Sequence, residues 1–250
     1  MNIENPFSLE GKTILVTGAS SGIGQATAIE CSKLGAAVVI TGRNEQRLQE
    51  TLEGMSNKDK HISLVADITT EGGLSHIINS VNHLDGVVLC AGKGLTLPLQ
   101  FATREYFNDI FEINFFAPVE LLRNLYKKKL LNLEASVVFV SSIGGNRIAL
   151  PGNGVYGASK SAFNTIMKFS AREFSQRRIR VNSVCPGMVD TPFIHRGTLT
   201  DEDFKRDMEK YPLKRYGNPK DIALGIIFLL SDASSWMTGQ SLVIDGGLTL

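Results

Sequence analysis

Lys12-Thr13-Ile14-Leu15-Val16-Thr17-Gly18-Ala19-Ser20-Ser21-Gly22-Ile23-Gly24 decides the fold. Lys12 to Thr17 reads as a short buried strand, and the glycine-rich turn after it runs into a helical pattern from Gln25 to Leu34. Such a strand–turn–helix unit makes an anion site. Its glycines let the backbone approach a pyrophosphate while the amino end of the helix presents free N–H groups, so the expected ligand is a dinucleotide. The glycines are spaced G-x-x-x-G-x-G, not the G-x-G-x-x-G of the common fingerprint. Turns want glycine for purely structural reasons too; the position directly after the first strand is what gives this cluster a functional reading.

Working outward, Val- and Ile-rich segments predict strands near 13–17, 37–41, 62–66, 86–90, 136–141, 180–184 and 241–244. Helical patterns fall between them, near 23–34, 44–53, 72–82, 103–130, 156–177 and 219–231. That alternation implies right-handed βαβ units and hence an α/β fold: a doubly wound, mostly parallel seven-stranded sheet of Rossmann type, with helices on both faces. No linker divides residues 1–250, so a single domain is expected. Ligands of open sheets of this kind bind beyond the carboxyl ends of the strands. Gly18, Arg43, Asp67, Ala91, Ser142 and Pro186 each fall just past a predicted strand, a convergence that a random scatter of glycines and serines would not produce.

Tyr156 and Lys160 in Tyr-Gly-Ala-Ser-Lys stand one helical turn apart, so both project from one face. A free phenol has a pKa of about 10, and a neighbouring ammonium is expected to lower it into the range of acid–base chemistry. An aromatic and a lysine also fall one turn apart on many solvated helices. Tyr216 and Lys220 share the spacing, but Asn218-Pro219 looks like a cap and first turn that leaves Tyr216 outside its helix, so the second pair reads as structural.

Composition narrows the class. A chain of 250 residues with 43% hydrophobic content can bury a large core. Its formal net charge of +1 gives no electrostatic reason to expect nucleic acid or an acidic membrane surface. Met1 to Glu10 lacks a secretory pattern, and the longest apolar stretch, near Ile222 to Leu230, is too short to span a bilayer. Cys31, Cys90 and Cys185 sit among apolar residues without a C-x-x-C pair, which fits buried thiols in a reducing, cytoplasmic compartment. His61, His76, His83 and His195 show no metal-ligand spacing, and no metal is expected.

Taken with Tyr156-Gly-Ala-Ser-Lys160, the turn Thr17-Gly-Ala-Ser-Ser-Gly-Ile-Gly24 resembles the short-chain dehydrogenase/reductase family. Asp67, Ala91-Gly92, Asn114, Ser142, Pro186-Gly187 and Asp245-Gly246-Gly247 stand in the family's order along nearly the whole chain. The resemblance implies an oxidoreductase interconverting a ketone and a secondary alcohol. Ser142 would hold the substrate oxygen, with Ser141 its competitor. Tyr156 would exchange the proton, and Lys160 would favour the phenolate and grip the nicotinamide ribose. Asn114 would hold a water beside Lys160, its alternative being a polar side chain satisfied by a local backbone bond. The resemblance assigns cofactor contacts to Gly18, Ser20, Ser21, Gly22, Ile23 and Gly24, then to Cys90, Ala91 and Gly92. It adds Pro186, Gly187, Val189 and Thr191, with the last two toward the carboxamide. Asp67 and Ile68 would bracket the adenine, unless they are a helix cap and a core residue.

Gly42 stands where the family places an acid in members that read a free ribose 2′-hydroxyl, and Arg43 comes next, which suits a 2′-phosphate. NADP(H) is therefore expected over NAD(H). Three departures from the family pattern are visible. Cys90 replaces the usual asparagine, Asp67 to Asp85 is short enough to imply a truncated helix, and the loop at 146–153 is expected to be enlarged. The charged segment at about 190–216 reads as a mobile lid. A 3-oxoacyl thioester is the expected substrate, carrier-bound forms included, with Lys127, Lys128, Lys129, Arg172, Arg177 and Arg178 facing an acidic carrier. Sugar, sterol and other secondary alcohols, a non-catalytic NADP(H) sensor, and an epimerase or dehydratase are the alternatives. Relatives commonly form tetramers through their long helices and chain end, so a homotetramer is expected.

Overall fold

The computed structural model describes residues 5–145, 147–194 and 200–250; His195 and part of the charged segment at 190–216 lie outside them. Seven strands, β1 (Thr13–Thr17), β2 (Ala37–Gly42), β3 (Ile62–Val65), β4 (Leu84–Leu89), β5 (Leu131–Val140), β6 (Arg180–Pro186) and β7 (Ser241–Ile244), form one sheet in the order β3-β2-β1-β4-β5-β6-β7. All neighbours pair parallel. Between them run α1 (Gly22–Lys33), α2 (Glu45–Glu53), α3 (Glu71–Ser80), α4 (Arg104–Phe111), α5 (Ala117–Lys127), α6 (Gly154–Phe174), α7 (Asp201–Met208) and α8 (Pro219–Leu230).

Because side chains alternate along a strand, each buried strand feeds two cores. Leu15, Val39, Val87, Val137 and Val181 point to one face, where Ile77 of α3, Leu121 of α5 and Phe163 of α6 cover them. Ile14, Val38, Val88, Val138 and Val184 point to the other, under Ala28 of α1 and Ile222 and Ile226 of α8. The near-continuous valine and isoleucine runs are therefore a requirement of burial on both sides.

One predicted helix is interrupted and one helix appears where none is predicted. Residues 103–130 are not one α-helix: a π-turn over Glu112–Phe116 separates α4 from α5. Pro118 supplies the reason, since it has no N–H to give the carbonyl of Asn114 four residues earlier. Residues 201–208 form a helix where the sequence suggests only a charged loop. Thr200 accepts from the Asp203 N–H while the Asp203 carboxylate accepts from the Thr200 N–H, a reciprocal cap legible as Thr-x-x-Asp. The short segment after Asp67 gives a ten-residue α3. No helix of the described residues is long and apolar enough to cross a membrane.

At the centre of the sheet the chain order reverses between β1 and β4, and the two strand ends are tied by one hydroxyl. Thr17 Oγ1 donates to the Val88 carbonyl at 3.2 Å and accepts from the N–H groups of Cys90 and Ala91 at 3.0 and 3.2 Å. The Thr17 tie therefore secures the very segment in which Cys90 stands in for asparagine. Thr17 is fully buried, so Thr17→Val takes the hydroxyl partner from the half-buried Cys90 and Ala91 amides. Urea unfolding should show a loss of about 2–3 kcal/mol, and Thr17→Ser should retain most of the wild-type stability. Equal stability of Thr17→Val and wild type would remove the hydroxyl from this role.

Candidate active site

With every strand parallel, the loops after β1 to β6 open on one edge, and the residues singled out in the sequence gather there. Gly18 has φ +66°, and a Cβ on it would lie 2.8 Å from the Ala91 Cα. The approach of the turn to the end of β4 thus admits glycine alone. A Cβ on Gly24 would collide with the Gly18 carbonyl, which lets α1 start close beneath the turn. Gly22, at φ +56°, faces the Thr191 methyl across the opening. Asn44, Thr70, Thr200 and Asn218 cap α2, α3, α7 and α8 with their side chains. Ser21 makes no such bond at α1, and no acid occupies that helix's first turn. Uncapped N–H groups, a positive helix end and side-chain-free backbone fit the pyrophosphate of a dinucleotide.

The adjoining strand ends carry the groups expected to read the rest of such a ligand. Ser20 Oγ lies 3.3 Å from where Gly42 would bear a Cβ, so the serine and the end of β2 share one corner. Arg43, largely exposed, reaches Asp67 Oδ2 at 3.7 Å. Asp67 does not cap α3, a role taken by Thr70. Its Oδ1 accepts from the Thr69 N–H and hydroxyl at 3.0 and 2.7 Å. Partial burial pushes its pKa up, but the Thr69 hydrogen bonds and the Arg43 charge prevail and hold it below the usual carboxylate range. Ile68, 5% exposed, packs in the core and takes the structural alternative. Gly187 is held against Asp245 and donates its N–H to the Ile244 carbonyl, and the Val189 side chain is core. Of these later residues, Thr191 places its side chain against the glycine turn.

The catalytic candidates come from β5, the π-turn and α6. Ser141 is buried and donates to the Lys160 carbonyl at 3.2 Å, a structural bond that leaves Ser142, partly exposed, as the serine facing the opening. Ser142 Oγ accepts from the Gly144 N–H at 3.1 Å and hydrogen-bonds Tyr156. Gly145 and Gly157 let the loop after β5 lie directly on α6: a Cβ on either would press on the Lys160 backbone or the Gly144 carbonyl. Asn114 is buried and clamps two segments. Its Oδ1 accepts from the Lys93 N–H at 2.8 Å, and its amide donates to the Lys93 carbonyl at 2.9 Å and to Ser159 Oγ at 3.1 Å. Both Oδ1 and Lys160 Nζ border Gly92, where a Cβ would be 3.0 Å from the one and 3.5 Å from the other. Ser159 and Pro118 thus belong to the site's framework although neither stood out in the sequence.

Lys160 Nζ sits 5.9 Å from the centre of the Tyr156 ring, on the same side of α6. The expected effect of the ammonium on the phenol is, however, not what this arrangement produces. Burial pushes Tyr156 up to about 12, against the pull of the Ser142 hydrogen bond. Burial also takes Lys160 down to about 8, and its Nζ donates to the Val140 carbonyl at 2.8 Å. The ammonium is turned to a backbone oxygen, so desolvation governs both groups. Burial likewise raises the Cys90 thiol to about 12, with the Lys160 charge and the Gly24 N–H opposing, which leaves it a poor nucleophile. Tyr216 behaves as expected of a structural residue: it is buried, donates to Asp207 at 2.8 Å and precedes the Asn218 cap.

The basic residues expected to face a carrier lie elsewhere. Lys127 ends α5 and Arg172 lies in the last turn of α6, at the amino edge of the sheet where β5 and β6 begin, and Arg177 donates to the Leu131 carbonyl at 2.6 Å. Sixteen residues of α6 separate Arg172 from Tyr156, roughly 24 Å. On a single chain this basic end does not flank the site.

A family model described as enoyl-(acyl carrier protein) reductase matches residues 18–249. The 3-oxoacyl-acyl-carrier-protein reductase of Rickettsia prowazekii (strain Madrid E) is 34% identical, covering 98% of this chain and 99% of its own. Glucose 1-dehydrogenase of Gluconobacter oxydans (strain 621H) is 35% identical over 96% of this chain and 92% of its own. A dehydrogenase/reductase from Sinorhizobium meliloti 1021 superposes with a TM-score of 0.87 at 30% identity, covering 98% of each chain.

The depressed Lys160 has a consequence for stability. Its pKa falls from 10.5 to about 8, so between those values the unfolded chain binds more protons and stability rises with pH. Below about pH 8 the buried ammonium carries its full cost, roughly 3 kcal/mol, from which Lys160→Met recovers all but about 1 kcal/mol for the orphaned Val140 carbonyl. Lys160→Met should therefore melt several degrees higher than wild type at pH 7, and the gap should close toward pH 10. A variant that is less stable at pH 7 would contradict this.

Proposed function

The chain belongs to the short-chain dehydrogenase/reductase family, oxidoreductases that interconvert ketones and alcohols with NAD(P)(H), and we propose that it is an NADP(H)-dependent reductase of 3-oxoacyl thioesters. The observation that carries the reading is the meeting of Ser142, Tyr156 and Lys160 at the edge where Gly18, Gly22, Gly24 and the bare end of α1 make a pyrophosphate cradle. A nicotinamide bound there supplies the hydride. Ser142 orients the ketone oxygen, and Tyr156 gives that oxygen its proton as the alkoxide develops. Lys160, charged at neutral pH, binds at the ribose and exchanges protons with solvent past Asn114. Phe193, beside Tyr156, and exposed Leu99, Phe101 and Leu150 in the neighbouring loops favour an acyl chain over a sugar.

NADP(H) over NAD(H) is supported by the corner of Ser20, Gly42 and Arg43. A 2′-phosphate would draw Arg43 from its long contact with Asp67 into a charge-assisted pair. Exposed Phe116 and Phe169 beside α5 and on α6 support assembly through these helices into the homotetramer, whereas Phe163 is core.

Because the phenol sits near 12, it enters reduction already protonated, while alcohol oxidation requires the phenolate. NADPH-driven reduction of a 3-oxobutanoyl thioester should thus vary little between pH 6 and 8, and the reverse rate should climb with pH. Tyr156→Phe should lower kcat at least a hundredfold with the NADPH dissociation constant changed less than threefold. Retained turnover in that variant would overturn the assignment; binding without turnover by wild type on any ketone would indicate a sensor.

Removing the guanidinium tests the cofactor. Arg43→Ala should reduce kcat/KM for NADPH by about 10- to 100-fold and leave NADH nearly unchanged. An equal loss for both coenzymes would assign Arg43 to the fold.

A further inference from the structure

Two loops and one aromatic ring bound the space in front of Tyr156. The loop after β4 and the loop before α6 are pinned together where the Leu97 N–H donates to the Gly152 carbonyl at 2.7 Å, with Gly152 at φ +82°. Neither 94–101 nor 148–153 contains an ionisable side chain. Leu99, Phe101 and Leu150 are exposed along them. The third boundary is Phe193, two residues beyond Thr191, which faces the glycine turn. Its ring centre is 6.2 Å from that of Tyr156, inclined at 55°. The far edge of the ring rests on Gly94: a Cβ there would lie 2.6 Å from Phe193 Cζ and 2.9 Å from Cε1.

Gly94 has no positive φ to explain it, so the missing side chain is what admits the ring. Still 41% exposed, Phe193 gains from this seat a fixed place beside the tyrosine and not deep burial. A ketone whose oxygen lies on Tyr156 and Ser142 must present one of its flanking groups to this ring.

We propose that Phe193, seated on Gly94, sets the size of the apolar group that the substrate carries beside its carbonyl, admitting a small or flat one and rejecting a branched one. The proposal rests on Tyr156 as the proton donor, and it deepens that reading to a substrate with an uncharged, apolar flank. Phe193 acts by shape, and selection by shape in an apolar pocket is worth about 10- to 200-fold per group. Gly94 acts through Phe193, as a positioning residue.

The test compares NADPH-dependent turnover of two N-acetylcysteamine thioesters, 3-oxobutanoyl and 3-oxo-4,4-dimethylpentanoyl, which differ only in the group beyond the ketone. Wild type should prefer the first by at least tenfold in kcat/KM. Phe193→Ala should shift the ratio at least tenfold toward the branched ester, and Phe193→Leu should restore most of the wild-type preference. Gly94→Ala, by displacing the ring, should shift the ratio alone yet add nothing in a Phe193→Ala background. Melting temperatures identify any variant that fails to fold; should Phe193→Ala do so, Phe193→Val takes its place and should shift the ratio in the same direction, an unchanged ratio overturning the proposal. An unchanged ratio in Phe193→Ala, or additive effects of Gly94→Ala and Phe193→Ala, would overturn the proposal while leaving the ketoreductase reading intact. No turnover of either ester by wild type, with other ketones reduced, would overturn the substrate assignment on which it rests.

Discussion

The near-contact of two backbones at the middle of the sheet governs everything else in this molecule. β1 and β4 are neighbours in space but diverge in sequence direction, one leading toward β2 and β3 and the other toward β5, β6 and β7. Their ends come so close that Gly18 meets Ala91 with no room for a methyl group. Tying the same two ends, the Thr17 hydroxyl fixes the width of the cleft from below. A ligand lying over the sheet's edge at this point meets, among the described residues, the glycine turn, small Ala91 and Gly92, and the uncapped end of α1.

The polar centre beside that cleft is built against its own stability. A lysine, an asparagine and two serines are buried under α6 with nearly all their hydrogen bonds met by backbone or by one another. Satisfying them fixes their positions, and it leaves the ammonium and the phenol both displaced toward their neutral forms. A phenol that holds its proton is already the right reagent for capping a developing alkoxide, so the displacement favours one direction of chemistry.

Much of this was legible in the chain. Valine- and isoleucine-rich runs separated by helical patterns marked a strand at all seven places, because the central strands are buried on both faces; the first half of β5, where Asn132 and Glu134 interrupt the apolar run, was not legible. The glycine turn and the Tyr–Lys pair were legible because their geometry is local, set within eight residues. What escaped was non-local or rested on a missing donor. The interruption at Glu112–Phe116 arises from Pro118, whose effect appears one turn upstream. The roles of Thr17, Ser159 and Gly94 depend on partners 73, 45 and 99 positions away, which no periodicity reports. The mistaken expectation for the phenol came from reading proximity as coupling: Lys160 is near Tyr156, but its proton points at Val140.

The reversal of strand order also divides labour along the chain. On the proposed function, the glycine turn, Arg43 and Asp67 that would meet a dinucleotide's phosphates and adenosine precede Lys93, whereas Phe193 and the loops beside Tyr156 that would meet the substrate lie beyond it. Point changes in the loops around Phe193 and Leu150 can therefore remodel which molecule is accepted while the glycine turn keeps its grip on coenzyme. A scaffold partitioned in this way lets ancestry conserve one trade while descendants take up new ones, which is the pattern expected when enzymes of quite different substrates share a backbone.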